Sequence, residues 1–154
     1  MITRRDVTVA FICVTTTATL ALLAQPSKPA EIHSRVFDWA ALKVERTKTG
    51  ERRNVVDMPT ETLTRFECHV TTLEPGEAPH AAHRHLEDEL LIIKEGTVES
   101  LQEGRTNQVG AGSVIFESSN ELHGLRNCGT TRATYYVFKW YPHDLAKTTP
   151  KAEK

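Results

Sequence analysis

The chain is poor in cysteine, in aromatic side chains and in net charge, and each shortage removes a class of protein. Its three cysteines, Cys13, Cys68 and Cys128, are far apart and form no CxxC pair. A disulfide framework or a cysteine-based zinc module is therefore not encoded. Lys and Arg total 19 against 20 Asp and Glu, a formal net charge of −1. That balance excludes the basic footprint of a nucleic-acid binder and an acidic solvating tail. There is no internal repeat and no low-complexity tract. What remains is a chain of 154 residues with 39% hydrophobic and 25% charged side chains, enough for one globular domain and too little for two.

The one long uncharged run lies at the start. Arg4 and Arg5 precede 18 residues without charge, 7–24, and a Pro-containing stretch, QPSKPAE, follows. A basic start and a short apolar run have the layout of a secretory signal peptide. The arginine pair after Thr3 suggests the twin-arginine variant, although Asp6 follows the pair. Residues 1–30 are therefore expected to be a signal segment and linker, and the protein to be exported to the periplasm by the general secretory or twin-arginine route. The run is near the lower limit for spanning a bilayer, so a retained N-terminal membrane anchor is the alternative. In an exported chain Cys68 and Cys128 can pair or remain buried thiols.

From residue 50 onward no segment shows a helical apolar period, and the punctuation is that of an all-β protein. Strands are expected over 64–73, 89–96, 97–101, 106–109, 113–117, 122–127 and 131–141, separated by turns at Pro75-Gly76, Glu95-Gly96, Glu103-Gly104 and Gly110-Ala111-Gly112. Residues 47–53 read as a polar loop, and 36–44 as ambiguous. Seven or so short strands suggest a sandwich or barrel. Leu90-Leu91-Ile92-Ile93 is apolar on both faces and calls for an outer cover, either the N-terminal segment or a second subunit. Tyr135, Val137 and Lys139 face opposite to Tyr136, Phe138 and Trp140; one row lines the barrel. Arg65, Glu67 and His69 form a polar row, facing solvent or a pocket.

Against these shortages, histidine is plentiful. Of seven, four (His80, His83, His85 and His123) fall within one 44-residue stretch. In extended chain, positions 83, 85 and 89 project to one side. Two imidazoles and the Glu89 carboxylate on one face make a metal-binding set, to which His123 can add a third imidazole from a neighbouring strand. Three His and one Glu leave a divalent ion with a residual charge of +1. An octahedral ion would keep two positions open for water, substrate or dioxygen. Glu87 shares the parity of these residues and is a weaker alternative ligand, whereas Asp88 reads as part of a solvated acidic loop.

The two blocks that carry these residues resemble the signature motifs of the cupin superfamily. The first is Gly76, six residues, His83-Arg84-His85, three residues, Glu89, six residues and Gly96, with one residue more between Gly76 and His83 than the family pattern. The second is Gly112, ten residues, His123, three residues and Asn127. Ser118 and Asn120 stand where the family has proline and glycine in the turn. Asn tolerates the left-handed conformation such a turn needs. The resemblance implies an all-β fold, a double-stranded β-helix or jelly-roll barrel over residues 36–145, in a small single-domain metal-binding protein that is often a homodimer. It carries the metal ligands over to His83, His85, Glu89 and His123.

The implied cofactor is a divalent metal ion, Mn or Fe first, with Zn or Ni as alternatives. The expected function is a metalloenzyme acting on a small oxygenated organic substrate, of dioxygenase, isomerase or lyase type. The alternative is a non-catalytic, metal-dependent binder of a small molecule or sugar. His80, three residues before His83, is the candidate proton carrier. Asn127 is expected to cap its turn or to support a ligand.

Overall fold

Alternation with period two organises the strands, and these differ in what they turn inward. The computed structural model describes residues 30–144. The expected signal segment, apart from residue 30, lies outside the described residues. A 3-10 turn, Trp39–Ala41, is followed by nine strands: β1 (Glu45–Thr47), β2 (Gly50–Met58), β3 (Arg65–Leu73), β4 (Asp88–Glu95), β5 (Thr97–Gln102), β6 (Arg105–Gly110), β7 (Val114–Glu117), β8 (His123–Asn127) and β9 (Ala133–Tyr141). They form a six-stranded sheet in the order β1-β2-β3-β9-β4-β7 and a three-stranded sheet in the order β6-β5-β8. All the strand pairs are antiparallel. The all-β jelly roll expected from the sequence is the fold observed. Among the described residues no helix is long and apolar enough to cross a membrane.

The two sheets enclose a core of Leu73, Leu91, Ile93, Val98, Ile115, Leu125, Ala133, Tyr135 and Val137. This core fills only one end of the barrel. Along each inward row the chemistry changes from apolar to polar: Ile93 and Leu91 lead to Glu89 on β4, Ile115 to Glu117 on β7, and Leu125 to His123 on β8. On β9 the inward row is Tyr135, Val137 and Lys139; its alternate, Tyr136, Phe138 and Trp140, faces outward. The register aligns Glu67 with Lys139, Lys139 with Glu89, and Glu89 with Glu117. Four ionisable side chains therefore form one transverse layer directly above the apolar core.

Residues 47–53, expected to be a loop, are instead the tight β1–β2 turn and the start of β2. The segment is polar because it lies at a sheet margin, where ladder hydrogen bonds to β3 and ion pairs replace apolar burial. Arg46 and Arg132 both pair with Glu51. Gly50 is required there, since a Cβ would sit 2.0 Å from the carbonyl oxygen of Thr72.

The expected cover over Leu90–Ile93 is partial. Trp39 packs near Tyr136, with the Lys94 ammonium 3.8 Å and the Arg53 guanidinium 4.6 Å from its ring centroid. Beyond it, Ile92, Val114 and Phe116 are exposed, and Phe116 stacks on Trp140. Cys68, buried, and Cys128, half-buried, are both free thiols. Burial and the neighbouring Glu67 push the Cys68 thiol up to about 11, so it stays protonated at neutral pH.

Candidate metal centre

The loop between β3 and β4 brings the first histidines to the polar end. His83 forms an isolated antiparallel bridge with His123, each backbone N–H donating to the other's carbonyl at 3.0 Å. The two sequence blocks are thus stapled together at the residues that carry the chemistry. A second staple lies below. The Gly76 N–H donates to the Asn127 carbonyl, and the Asn127 N–H to the Glu77 carbonyl. The buried Asn127 side chain donates to the carbonyls of Leu73 and Thr131 and accepts from the Gly129 N–H. Its expected capping role is what the structure shows. Asn120 takes φ +59°, as the turn requires, and its N–H donates to the His85 carbonyl at 2.7 Å.

The ring nitrogens of His83, His85 and His123 lie within 4.8 Å of one another. Glu89 falls into a second, overlapping group with Glu117 and His123, again within 4.8 Å. The four residues expected from the sequence therefore converge, joined by Glu117, which the sequence analysis did not single out. Its signal was available: it follows Ile115 by two positions on a strand with alternating burial. The sequence alone does not separate it from an acidic residue that turns to solvent at a strand's end. Glu87, the alternative ligand, accepts a hydrogen bond from the Tyr141 hydroxyl. Asp88 is not a free loop acid either, since it accepts from the Ser119 N–H.

The hydrogen bonds prepare the imidazoles for a cation. His123 Nδ1 lies 2.8 Å from the Glu121 carbonyl and His85 Nδ1 2.9 Å from that of Glu87. A proton on each Nδ1 leaves the lone pair on Nε2, as in ligating histidines whose other nitrogen donates to a carbonyl. His123 Nε2 and His83 Nδ1 are buried without a hydrogen-bond partner, a state that costs free energy unless something binds there. The donor set of three imidazoles and a carboxylate fits a divalent transition ion.

Charge states follow from burial and neighbours. Burial, with His80, His123 and His85 nearby, pushes His83 down to about 4; burial also lowers His123. Both are neutral at pH 7, as ligation requires. Burial opposes a charge on His85, but the hydrogen bond to Glu89 and the nearby carboxylates outweigh it and raise its pKa. Burial likewise opposes ionisation of Glu89, yet His85 and Lys139 hold it down at about 2. Burial and the Glu89 charge push Glu117 up to about 8. Two carboxyl groups side by side on neighbouring strands are thus split into an anion and an acid that keeps its proton.

A cavity of about 140 Å³ opens over this layer, lined among others by His80, His83, Glu89, Glu117, His123 and Lys139. Arg52, Glu67 and His69 line it too, which settles the open question of the polar row on β3. Glu67 and His69 face the pocket, while Arg65 is not among its lining residues and pairs with Asp57. His80 is exposed at the mouth; its ring meets His83 edge-on at 4.3 Å, and its Nδ1 lies 3.0 Å from the Ala81 carbonyl.

Fold and site together define a small β-barrel with an imidazole-carboxylate centre at its polar end. The family described as "Cupin domain" matches residues 69–149, more than half of the chain, and the protein belongs to the cupin family. An L-ectoine synthase of Bordetella parapertussis is 35% identical over 65 residues, covering 42% of this chain and 48% of that protein. The chain spans about half the length of the curated relatives it matches. An RmlC-like cupin from Shewanella frigidimarina superposes with a TM-score of 0.59 at 14% identity, over 75% of this chain and 96% of that one. KdgF from a Halomonas species gives 0.59 at 16% identity, over 73% and 99%. At these identities the two structures speak for the fold alone.

Proposed function

We propose that the protein is a metal-dependent enzyme acting on a small oxygenated organic molecule, with His83, His85, Glu89 and His123 holding Mn or Fe. The observation that carries this reading is the convergence of three imidazoles, two of them with unpartnered buried nitrogens, beside a cavity of small-molecule size that His83 and His123 line. The ion would polarise a substrate oxygen as a Lewis acid. The chain's own residues do the rest. The apolar layer beneath, Leu91, Leu125 and Val137, excludes water. Glu117 keeps a proton inside the cavity, and His80 exchanges one at the mouth.

An isomerase or lyase reaction needs such proton carriers, and the similarity to L-ectoine synthases over 42% of this chain supports an enzyme. The second reading, a metal-dependent binder without turnover, keeps the same ligands and gives Glu117 no proton to pass. Export to the periplasm and a second copy of the chain over the exposed outer face belong to the same proposal.

The test is metal analysis of untagged protein after dialysis. About one ion per chain is expected for the wild type, and a loss of at least about 10-fold in affinity for His83→Ala and for His123→Ala. Unchanged metal content in both variants would overturn the ligand assignment. Turnover of a small-acid panel that disappears in Glu117→Gln, with metal retained, separates the enzyme from the binder.

A further inference from the structure

Lys139 is the one cation in the transverse ionisable layer, and it stands among the residues assigned to the ion. Its Nζ lies 2.8 Å from Glu89 Oε2 and 3.3 Å from His85 Nε2. Its side chain is mostly buried, at 16% exposure. The register makes this placement a property of the sheet: Lys139 pairs with Glu89 on one side and with Glu67 on the other. Glu67 already has partners, with Arg52 at 3.0 Å and His69 Nδ1 at 3.0 Å from its Oε1. Lys139 therefore pairs with Glu89, whose Oε2 it shares with His85 Nε2 at 3.1 Å, and this carboxylate is the one the ion requires.

A divalent ion and an ammonium cannot share one carboxylate at close range without repelling each other, and in a partly buried site that repulsion is weakly screened. We propose that Lys139 is a tethered counter-cation: it competes with the ion for Glu89, and once the ion holds that carboxylate it anchors the carboxylate of a small anionic substrate. The inference rests on the metal reading above and adds to it the charge and size of the substrate.

Once displaced from Glu89, the ammonium faces the cavity, where Glu117 is the remaining carboxyl of the layer. Arg52 and His69 occupy Glu67, and the apolar layer beneath offers no acceptor. With a divalent ion in place the charges lining the cavity leave a net positive charge, even with Glu117 counted as an anion. Such a cavity attracts an anion. At about 140 Å³ it takes a molecule of a few non-hydrogen atoms. A small carboxylic acid with a second oxygen for the ion satisfies both conditions.

Calorimetric titration of the full chain with Mn(II) tests the first half. Lys139→Met removes the competitor and is expected to bind Mn(II) about 10-fold more tightly than the wild type, the worth of one partly buried ion pair. It is also expected to show a larger Mn(II)-dependent rise in melting temperature, because Glu89 then keeps only its hydrogen bond with His85 until the ion arrives. Lys139→Gln, which keeps a hydrogen-bond donor, supplies the same comparison should the Met variant not fold. Equal Mn(II) affinity in wild type and variants overturns the inference and leaves the metal site standing. No Mn(II) binding by any of the proteins overturns the metal reading and the inference with it. The second half is read by titrating acetate into the Mn(II)-loaded proteins. Affinity is expected to fall about 10-fold in Lys139→Met and to be largely kept in Lys139→Arg; equal acetate affinity in all three overturns the anchor.

Discussion

Glu67 shows how the fold sets the charge of a single side chain. The His69 hydrogen bond acts most strongly and burial opposes it; with Arg52 and Arg65 added, the carboxyl is held down at about 2 against an ordinary 4.5. A carboxyl whose pKa is depressed in the folded state binds fewer protons there than in the unfolded chain. Its stabilisation is therefore complete above about pH 4.5 and fades as the pH falls toward about 2. Glu67→Gln is expected to lose about 1–2 kcal/mol at pH 7, a figure reduced for partial solvent exposure. The deficit should shrink below pH 4.5, as urea unfolding at a series of pH values would show. A deficit of constant size from pH 7 to pH 3 would mean that packing, rather than charge, is what Glu67 contributes. Burial and ion pairing were not legible in the alternating row Arg65, Glu67, His69. An alternating polar row has the same pattern whether it faces water or a polar cavity.

At the level of the element, strands whose side chains alternate against an apolar core are legible in the sequence, and β6, exposed along most of its length, is legible from the Gly turns at its two ends. β3, β4, β7 and β9 each turn branched or aromatic residues inward, a signal that survives in one dimension. The polar start of β2 carries no such signal, because its stability comes from hydrogen bonds to β3 and from surface ion pairs. The connection between β8 and β9 illustrates the opposite case, in which one side chain fixes a turn. Asn127 has no exposed surface and makes three hydrogen bonds to backbone groups on both sides of the chain's return. Asn127→Ala would remove the hydrogen bonds to the Leu73 and Thr131 carbonyls and to the Gly129 N–H, which keeps the Thr97 carbonyl as its acceptor, at a cost of about 2–3 kcal/mol. Denaturant melts should show that loss in the midpoint, with an unchanged slope. The same substitution would loosen the Gly76–Asn127 staple that holds the His83 loop in place.

For the whole molecule, the feature of consequence is that inside and outside are both divided. The interior is apolar at one end and ionisable at the other. Among the described residues, the outer face of the large sheet is covered by the Trp39 turn on one side and bare around Ile92, Val114 and Phe116, with Phe116 half exposed. A bare apolar face beside the edge strand β7 is the part of this surface suited to a second copy of the chain. Sedimentation of the protein is expected to give a dimer, and Phe116→Glu a monomer with its Mn(II) affinity intact. A monomeric wild type at micromolar concentration would remove the second copy from the proposal.

The sequence by itself determined the β-class, the family resemblance and the four expected ligand residues. Period-two alternation, turn glycines and motif spacing are local, and they persist in the written chain. Only the tertiary structure decided that Glu117 joins the centre, that Lys139 stands against Glu89, and that Glu67 and His69 face the cavity. Each of these depends on strand register between segments as much as 72 residues apart, as Glu67 and Lys139 are. Register arises from the packing of two sheets around one core, which no single segment contains.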